Sequence, residues 1–544
     1  MVVVDGPGPI VWHGLTRDRH SFVRCVMIQM RSLFIWVLIL LHAGLLAQST
    51  PPAGARIEIL SADNLVYDKA FTKAQRLLGH VRLKHENALM RCDSAWLFED
   101  QTMNAFGHVA IDHDTLHITG ERLDYVGKER LATITGAVRL SDPGMELTTD
   151  ALTYALRERT ARYTSGAVII SHRENNTLTS CNGAYQAAIH RFVFSDSVKL
   201  SHPEHIIVTD ALHYTTTTGV ADFFGPTRII QGATLMFCER GSYDTRADRG
   251  LFTRAGRILD GAQELRGDSL LFDGRAGEGR GWGHVTMIDT SSNLLVRGQQ
   301  GLHLQHADSS YITGRAELVM LMGEDSLFLH ADTLSATTDS SRGQRVLARR
   351  NVRFFKNDMQ GVCDTMTWAD RDSLITLAGS PYLWSGKDQI SGRLITIALR
   401  NGHAHRLHVL RDALLANSVD SLPEDADPTA AYFDQVTGTT ITGWFAHDKL
   451  VRIEAEGNSR TLSFAKEKDE SGTERVTTMN RADCSRIVVR LDSGEVSSIS
   501  FLVKPDAVMY PIGQAPVEEM RMKGFTWNAA ARPVDRISIF APEE

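Results

Sequence analysis

The stretch Ala132-Thr-Ile-Thr-Gly-Ala-Val-Arg-Leu140 decides the fold. Ala132, Ile134, Val138 and Leu140 keep one parity straight through Gly136, the period-2 signature of a strand with one buried face. In Leu116-His-Ile-Thr-Gly-Glu-Arg-Leu-Asp-Tyr125 the apolar parity flips near Glu121, and Leu147 and Leu152 flip in the same way around Asp150. A slip of one residue turns every later side chain to the other face, as a β-bulge or a corner does. The strands are therefore expected to bend at a fixed place, each turning from one sheet into a facing one.

The phrase repeats. Gly79-His-Val-Arg-Leu83, Gly107-His-Val-Ala-Ile111, Gly136-Ala-Val-Arg-Leu140 and Gly166-Ala-Val-Ile-Ile170 lead on through Asp196, Gly225, Gly256, Gly283 and Gly314 to weaker copies at Arg350 and Gly379. Successive starts lie 28, 29, 30, 30, 29, 31, 27, 31, 36 and 29 residues apart, too steady for coincidence. Between them recurs an acid, an apolar residue and an aromatic in alternation. It stands as Asp63-Asn-Leu-Val-Tyr67, Glu121-Arg-Leu-Asp-Tyr125, Asp150-Ala-Leu-Thr-Tyr154 and Asp210-Ala-Leu-His-Tyr214, more loosely at Asp268–Phe272 and Asp364–Trp368. Such self-similarity marks a stacked repeat architecture, all-β and elongated: about eleven units of about 29 residues, each with two bent antiparallel strands. At about 4.8 Å per strand the stack would be on the order of 100 Å long. Its inner face would be a continuous apolar trough. The recurring acids would serve at the corners by capping backbone N–H groups, since neither the glycine-rich calcium nonapeptide nor a single carboxylate pair is present.

Composition sets the outer limits. The chain has 544 residues, 43% hydrophobic and 23% charged, with a net charge of −7 and no long run of like charge. That excludes wholesale disorder and a nucleic-acid binder relying on a basic face. Residues 1–47 read as an N-terminal extension and signal peptide. Arg31 precedes the apolar run Ser32–Leu41 and the small residue Ala47, with the mature chain expected near Gln48 and a true start at Met27 or Met30. Five cysteines remain after Cys25, none closer than 57 residues to the next, so free thiols are expected and a CxxC metal site fails on spacing. His403, His405 and His408 lack a Cys or carboxylate at ligand spacing. Residues 56–400 form the repeat domain. Residues 401–544 form a looser β extension, whose Pro-punctuated end from Lys504 is expected to cap the last open edge.

The unit A-D-x-L-x-Y … G-x-V-x-L behind a signal peptide resembles the organic-solvent-tolerance (OstA) family, which includes the LptA-type lipopolysaccharide-transport protein. The phrases 439–459, 480–491 and 504–512 resemble the longer OstA-like proteins of the Bacteroidetes group. The resemblance implies a β-taco or β-jellyroll that binds lipopolysaccharide by its lipid A acyl chains and helps carry it across the periplasm for outer-membrane assembly. Its partners would be other lipopolysaccharide-transport proteins of the inner and outer membranes. No cofactor, metal or enzymatic activity is implied. The inner parity nominates Leu65, Tyr67, Leu123, Tyr125, Val138, Leu140, Leu152, Tyr154, Val168, Ile170, Val198, Leu200, Leu212 and Tyr214 as the lipid-binding trough. Two readings stand beside this one: an exported structural or adhesive β-solenoid with a closed core, and a polysaccharide-active β-helix enzyme.

Overall fold

The computed structural model describes residues 56–67, 73–322, 325–339, 341, 343–401, 403–419, 431–447, 449–468, 472–492 and 495–541. The expected signal peptide lies outside them, as does most of the Asp- and Pro-rich stretch after Asn417. Among the described residues, thirty-six strands from Glu58–Ser61 to Asp506–Pro511 form one antiparallel sheet with no α-helix. The ladder runs across residue 400 without a break: Leu394–Arg400 pairs with His403–Ser418, and that strand with Phe433–Ala446. The architecture is the repeat-built stack of bent antiparallel strands that the phrase periodicity predicts.

The bend has a specific cause. Thr135 faces Ala151 and Val138 faces Thr149, so Gly136 and Ala137 together oppose Asp150 alone. Gly136 has φ +83° and Ala137 φ +43°, two left-handed residues in succession. The register shifts in the same way at Gly79-His80, Gly107-His108 and Gly283-His284. Each strand is thereby split into two arms, which fold toward one another over one apolar cluster running from Ile57 to Val489. The bulges line up into a spine, and the hairpin turns at the free ends of the arms form the mouth opposite it.

Glycine is required at the spine for two reasons. A left-handed L-residue costs about 1–2 kcal/mol, and a Cβ on Gly79, Gly107, Gly283 or Gly379 would overlap the carboxylate of Asp63, Asp93, Asp268 or Asp364 on the preceding strand. The recurring acid thus packs on the recurring glycine, which explains why the two phrases travel together. His80, His108 and His284 then donate Nδ1–H to Asp63, Asp93 and Asp268, each at 2.8 Å. The corner role is as expected, but these carboxylates accept from the following imidazole instead of capping backbone N–H groups.

Burial corrects four of the nominated positions. Val168 and Ile170 point outward, 40% and 41% exposed, while Ala167 and Ile169 are buried. The cause is local: Ala167 faces Thr149 just as Val138 does, so Gly166 takes the second corner position instead of the first and the residues after it fall one step out of phase with the repeated phrase. Leu65 and Tyr67 are 56% and 45% exposed, because they lie at the first edge of the described ladder, where Asn64–Tyr67 pairs on one side only. The other ten are buried.

The C-terminal stretch also departs from expectation. Asp506–Pro511 adds to the ladder beside Glu474–Asp492, but residues 512–541 do not cap the edge. They run back as a strap over the outer face of one arm. Met522 N–H donates to Gln435 Oε1 at 2.9 Å, Asn528 N–H to Gln389 Oε1 at 2.8 Å, and Arg532 to Gln360 Oε1 at 2.9 Å. Arg536 closes the strap with a two-pronged pair to buried Glu317 at 2.6 and 2.8 Å. Cys92, Cys238, Cys363 and Cys484 are buried and Cys181 is exposed, all as free thiols.

Two outcomes test the corner. Gly107→Ala should destabilise the protein by about 1–3 kcal/mol more than Gly232→Ala in chemical denaturation, the cost of overpacking. Both positions have positive φ, so the left-handed cost cancels, but only Gly107 has a carboxylate where the methyl must go. Removing that carboxylate with Asp93→Ala should shrink the difference, and equal costs for the two alanines would refute the packing account. The hydrogen bonds to Asp63 and Asp93 raise the His80 and His108 pKa values above 6.5. Their contribution to stability is therefore full below 6.5 and is lost as pH rises through the elevated folded values. NMR titration should show both imidazoles titrating above 6.5, and each falling back in Asp63→Asn or Asp93→Asn.

Candidate functional site

The mouth is closed along the first half of the chain by a ladder of tyrosines from the aromatic slot of the repeat. Tyr125 bonds His85 across the mouth. The Tyr154 hydroxyl lies 2.6 Å from His113 Nδ1, Tyr185 donates to Asp142 at 2.7 Å, and Asn176 donates to Tyr214 at 3.3 Å. At the last rung Tyr243 donates to Asp248, which also accepts from Gln231 of the opposite arm at 2.9 Å. Burial pushes the Tyr154 hydroxyl up to about 12 and the His113 imidazole down, so both groups are neutral and the hydroxyl donates. A second tier of ion pairs spans the turns outside: Arg130 to Glu86 at 2.9 Å, Arg159 to Asp114 at 3.0 Å and Arg246 to Glu174 at 2.6 Å.

Behind this clasp the interior is full. Leu123, Val138, Leu140, Leu152, Val198, Leu200 and Leu212 are buried, as are Tyr125, Tyr154 and Tyr214. The fourteen nominated residues therefore do not line an open trough: ten pack against one another in a shut core, two face solvent and two sit at the edge.

After Tyr243 the slot changes. Its next occupants are Phe272, His303, Ala336 and Trp368, none of which carries a hydroxyl. His303 turns to Ser310 of its own arm at 3.0 Å, and burial holds its pKa below the usual value. The inward positions Gly279, Gly281 and Gly301 supply no side chain, and Val285 and Met287 of the other arm lie where a Cβ on Gly301 would go. Closure lapses here, and space opens. A cavity of about 110 Å³ at the mouth is walled by Ile258, Leu265, Phe272, Met287 and Val296. A gap of about 30 Å³ beside it shares the lining residues Met287 and Val296 and borders Ile312. A further cavity of about 250 Å³ shares Leu318 and Val346 with that gap and is lined by Met320, Leu327, Leu329, Ala348 and Trp368.

The rim is polar and acidic. Asp260, Glu264, Glu278, Asp289 and Asp308 border the outer cavity, whose lining includes no lysine or arginine. Arg257 and Arg266 pair with Glu264; burial raises its pKa, but these two guanidiniums outweigh burial and hold it below the ordinary value. Gln305 donates to Asp260 across the mouth at 3.0 Å. The lining holds one hydroxyl–imidazole pair, Ser310 with His303 at 3.0 Å. Among the described residues no group of three or more His, Cys, Asp or Glu is placed to hold a metal, and His408 bonds Thr442 at 2.9 Å. What the site offers chemically is burial of hydrocarbon in an apolar slot with a polar lip.

This section is not legible in the repeat phrase, because Phe272 and Trp368 fit the aromatic slot by shape. The signal was the loss of the hydroxyl after Tyr243, together with inward glycines in Glu278-Gly-Arg-Gly-Trp-Gly283.

Residues 54–210 match the family model described as OstA-like protein. That span is therefore OstA-like, as the repeat phrases suggested; it covers most of the clasped section, and the cavities lie beyond it. No curated protein matches the chain.

Removing a clasp should loosen the mouth locally. Tyr154→Phe leaves the buried His113 nitrogen without its donor and should cost about 1–3 kcal/mol. Faster amide exchange should be confined to the neighbourhoods of residues 113 and 154. Unchanged protection there would mean that the hydroxyl does not hold the arms together.

Proposed function

We propose that the protein is a non-enzymatic carrier of lipopolysaccharide that works in outer-membrane assembly, taking lipid A acyl chains between its arms while sugars and phosphates remain in water. Transfer of an acylated lipid through water costs about 0.8 kcal/mol for each CH₂ exposed. A carrier therefore needs continuous apolar surface and no catalytic group. The observation that carries this reading is the unclasped apolar cavity between residues 258 and 399. The OstA-like span and the stack of bent antiparallel strands support it. Export to the periplasm, and exchange of the lipid with other lipopolysaccharide-transport proteins of the two membranes, belong to the same proposal. Among the described residues no helix is long and apolar enough to cross a membrane.

Of the alternatives, a parallel β-helix enzyme is removed by the antiparallel pairing throughout. The closed-core solenoid describes the clasped section well, and the cavity separates it from a carrier.

Photo-crosslinking discriminates. With a photoreactive residue in place of Val296, Leu318 or Leu329, labelled lipopolysaccharide should be captured. Capture should be weak at Val138 and Leu212 behind the clasp, and absent at outward Arg139. No capture at the three cavity positions, or equal capture at Arg139, would refute the carrier reading.

A further inference from the structure

A second site lies on the spine, away from the mouth. Between the corners of the last strands and the returning strap is a polar groove of about 1060 Å³. Its lining carries five basic side chains against three acidic ones, in a chain of net charge −7. Two of the bases are committed: Arg393 to Asp412 at 2.7 Å and Arg460 to Asp483 at 2.5 Å. Arg411, Lys504 and Lys523 have no ion-pair partner among the described residues. Arg411 and Lys504 occupy left-handed corner positions, φ +57° and +54°, where a bulge aims the side chain out of the ladder. Lys523 comes from the strap on the other wall.

The rest of the wall is hydroxyl, amide and glycine: Ser391, Thr437, Asn458 and Ser485 among them, with no aromatic ring on which a base could stack. From Arg411 to Lys504 the ladder advances four strands, roughly 19 Å at about 4.8 Å each. Charge spaced over that length, with hydroxyl partners between, fits an extended ligand better than a single phosphate.

We propose that this groove binds an anionic saccharide, its negative groups meeting Arg411, Lys504 and Lys523. The site is independent of the apolar cavity, so either can fail alone. Calorimetric titration of the full chain with a sulfated dextran oligosaccharide, and with neutral dextran of the same length, tests it. The sulfated probe should bind with an affinity that falls as salt rises; the neutral one and inorganic phosphate should bind far more weakly. The combined Arg411→Ala, Lys504→Ala and Lys523→Ala variant should lose about tenfold, as expected for three exposed ion pairs. Lys504→Arg with Lys523→Arg should retain binding, and the remote Arg82→Ala should match wild type. A deacylated sugar phosphate binding as well as its parent glycolipid would identify the saccharide as the ligand. Binding of the glycolipid alone would overturn the proposal. Equal binding of both dextrans, or full binding by the triple variant, would do the same.

Discussion

Along the ladder, alternate strands turn through a corner made of left-handed residues, and most other features follow from that constraint. An L-residue resists the conformation by about 1–2 kcal/mol, so glycine takes the first position at most corners, and the missing Cβ leaves room for the carboxylate of the preceding strand. Where glycine is absent, as at Asp196-Ser197 and Arg350-Asn351, a side-chain hydrogen bond stands at the corner: Asn182 to Asp196 at 2.5 Å and Asn351 to Asp332 at 3.0 Å. Because the bulge inserts two residues against one, it also sets which parity faces inward after it. At Gly166 the glycine takes the second corner position instead of the first, and Val168 and Ile170 face outward as a result.

Once the arms face each other, the mouth can be shut or it can admit a guest, and the same slot decides which. A tyrosine there reaches the opposite arm and fills the interior, but its hydroxyl must find a partner; His85, His113, Asp142 and Asn176 are those partners, all near the far arm's free end. Phe272, His303 and Ala336 make no such bond across the mouth and leave volume behind. The cavity of about 250 Å³ leaves apolar side chains facing open space, and an apolar guest would bury that surface.

The period, the bent strands and the inward parity at ten of fourteen positions were legible because alternation and glycine spacing are local properties. The closure of the trough was not. It depends on whether a tyrosine oxygen meets a partner some forty residues away in sequence, as with Tyr125 and His85. The strap was invisible for a related reason: residues 512–541 have no periodicity. They attach through Arg532, Arg536 and backbone N–H groups to glutamines and a glutamate that read as ordinary outward polar positions.

Ladder contacts join each strand to its near neighbours, so in a stack of this kind stability is passed on one unit at a time. The strap breaks that rule, joining Arg536 to Glu317 across 219 residues. Its far end touches Glu317, His330 and Arg353, on the strands whose inner residues Leu318, Leu329 and Ala348 line the larger cavity or lie beside it. The tyrosine clasp holds the arms together where the core is full. Where the core is hollow, the strap backs one arm from outside. An arm held from behind can keep its shape with the mouth unclasped, which is what an apolar cavity open to the side requires.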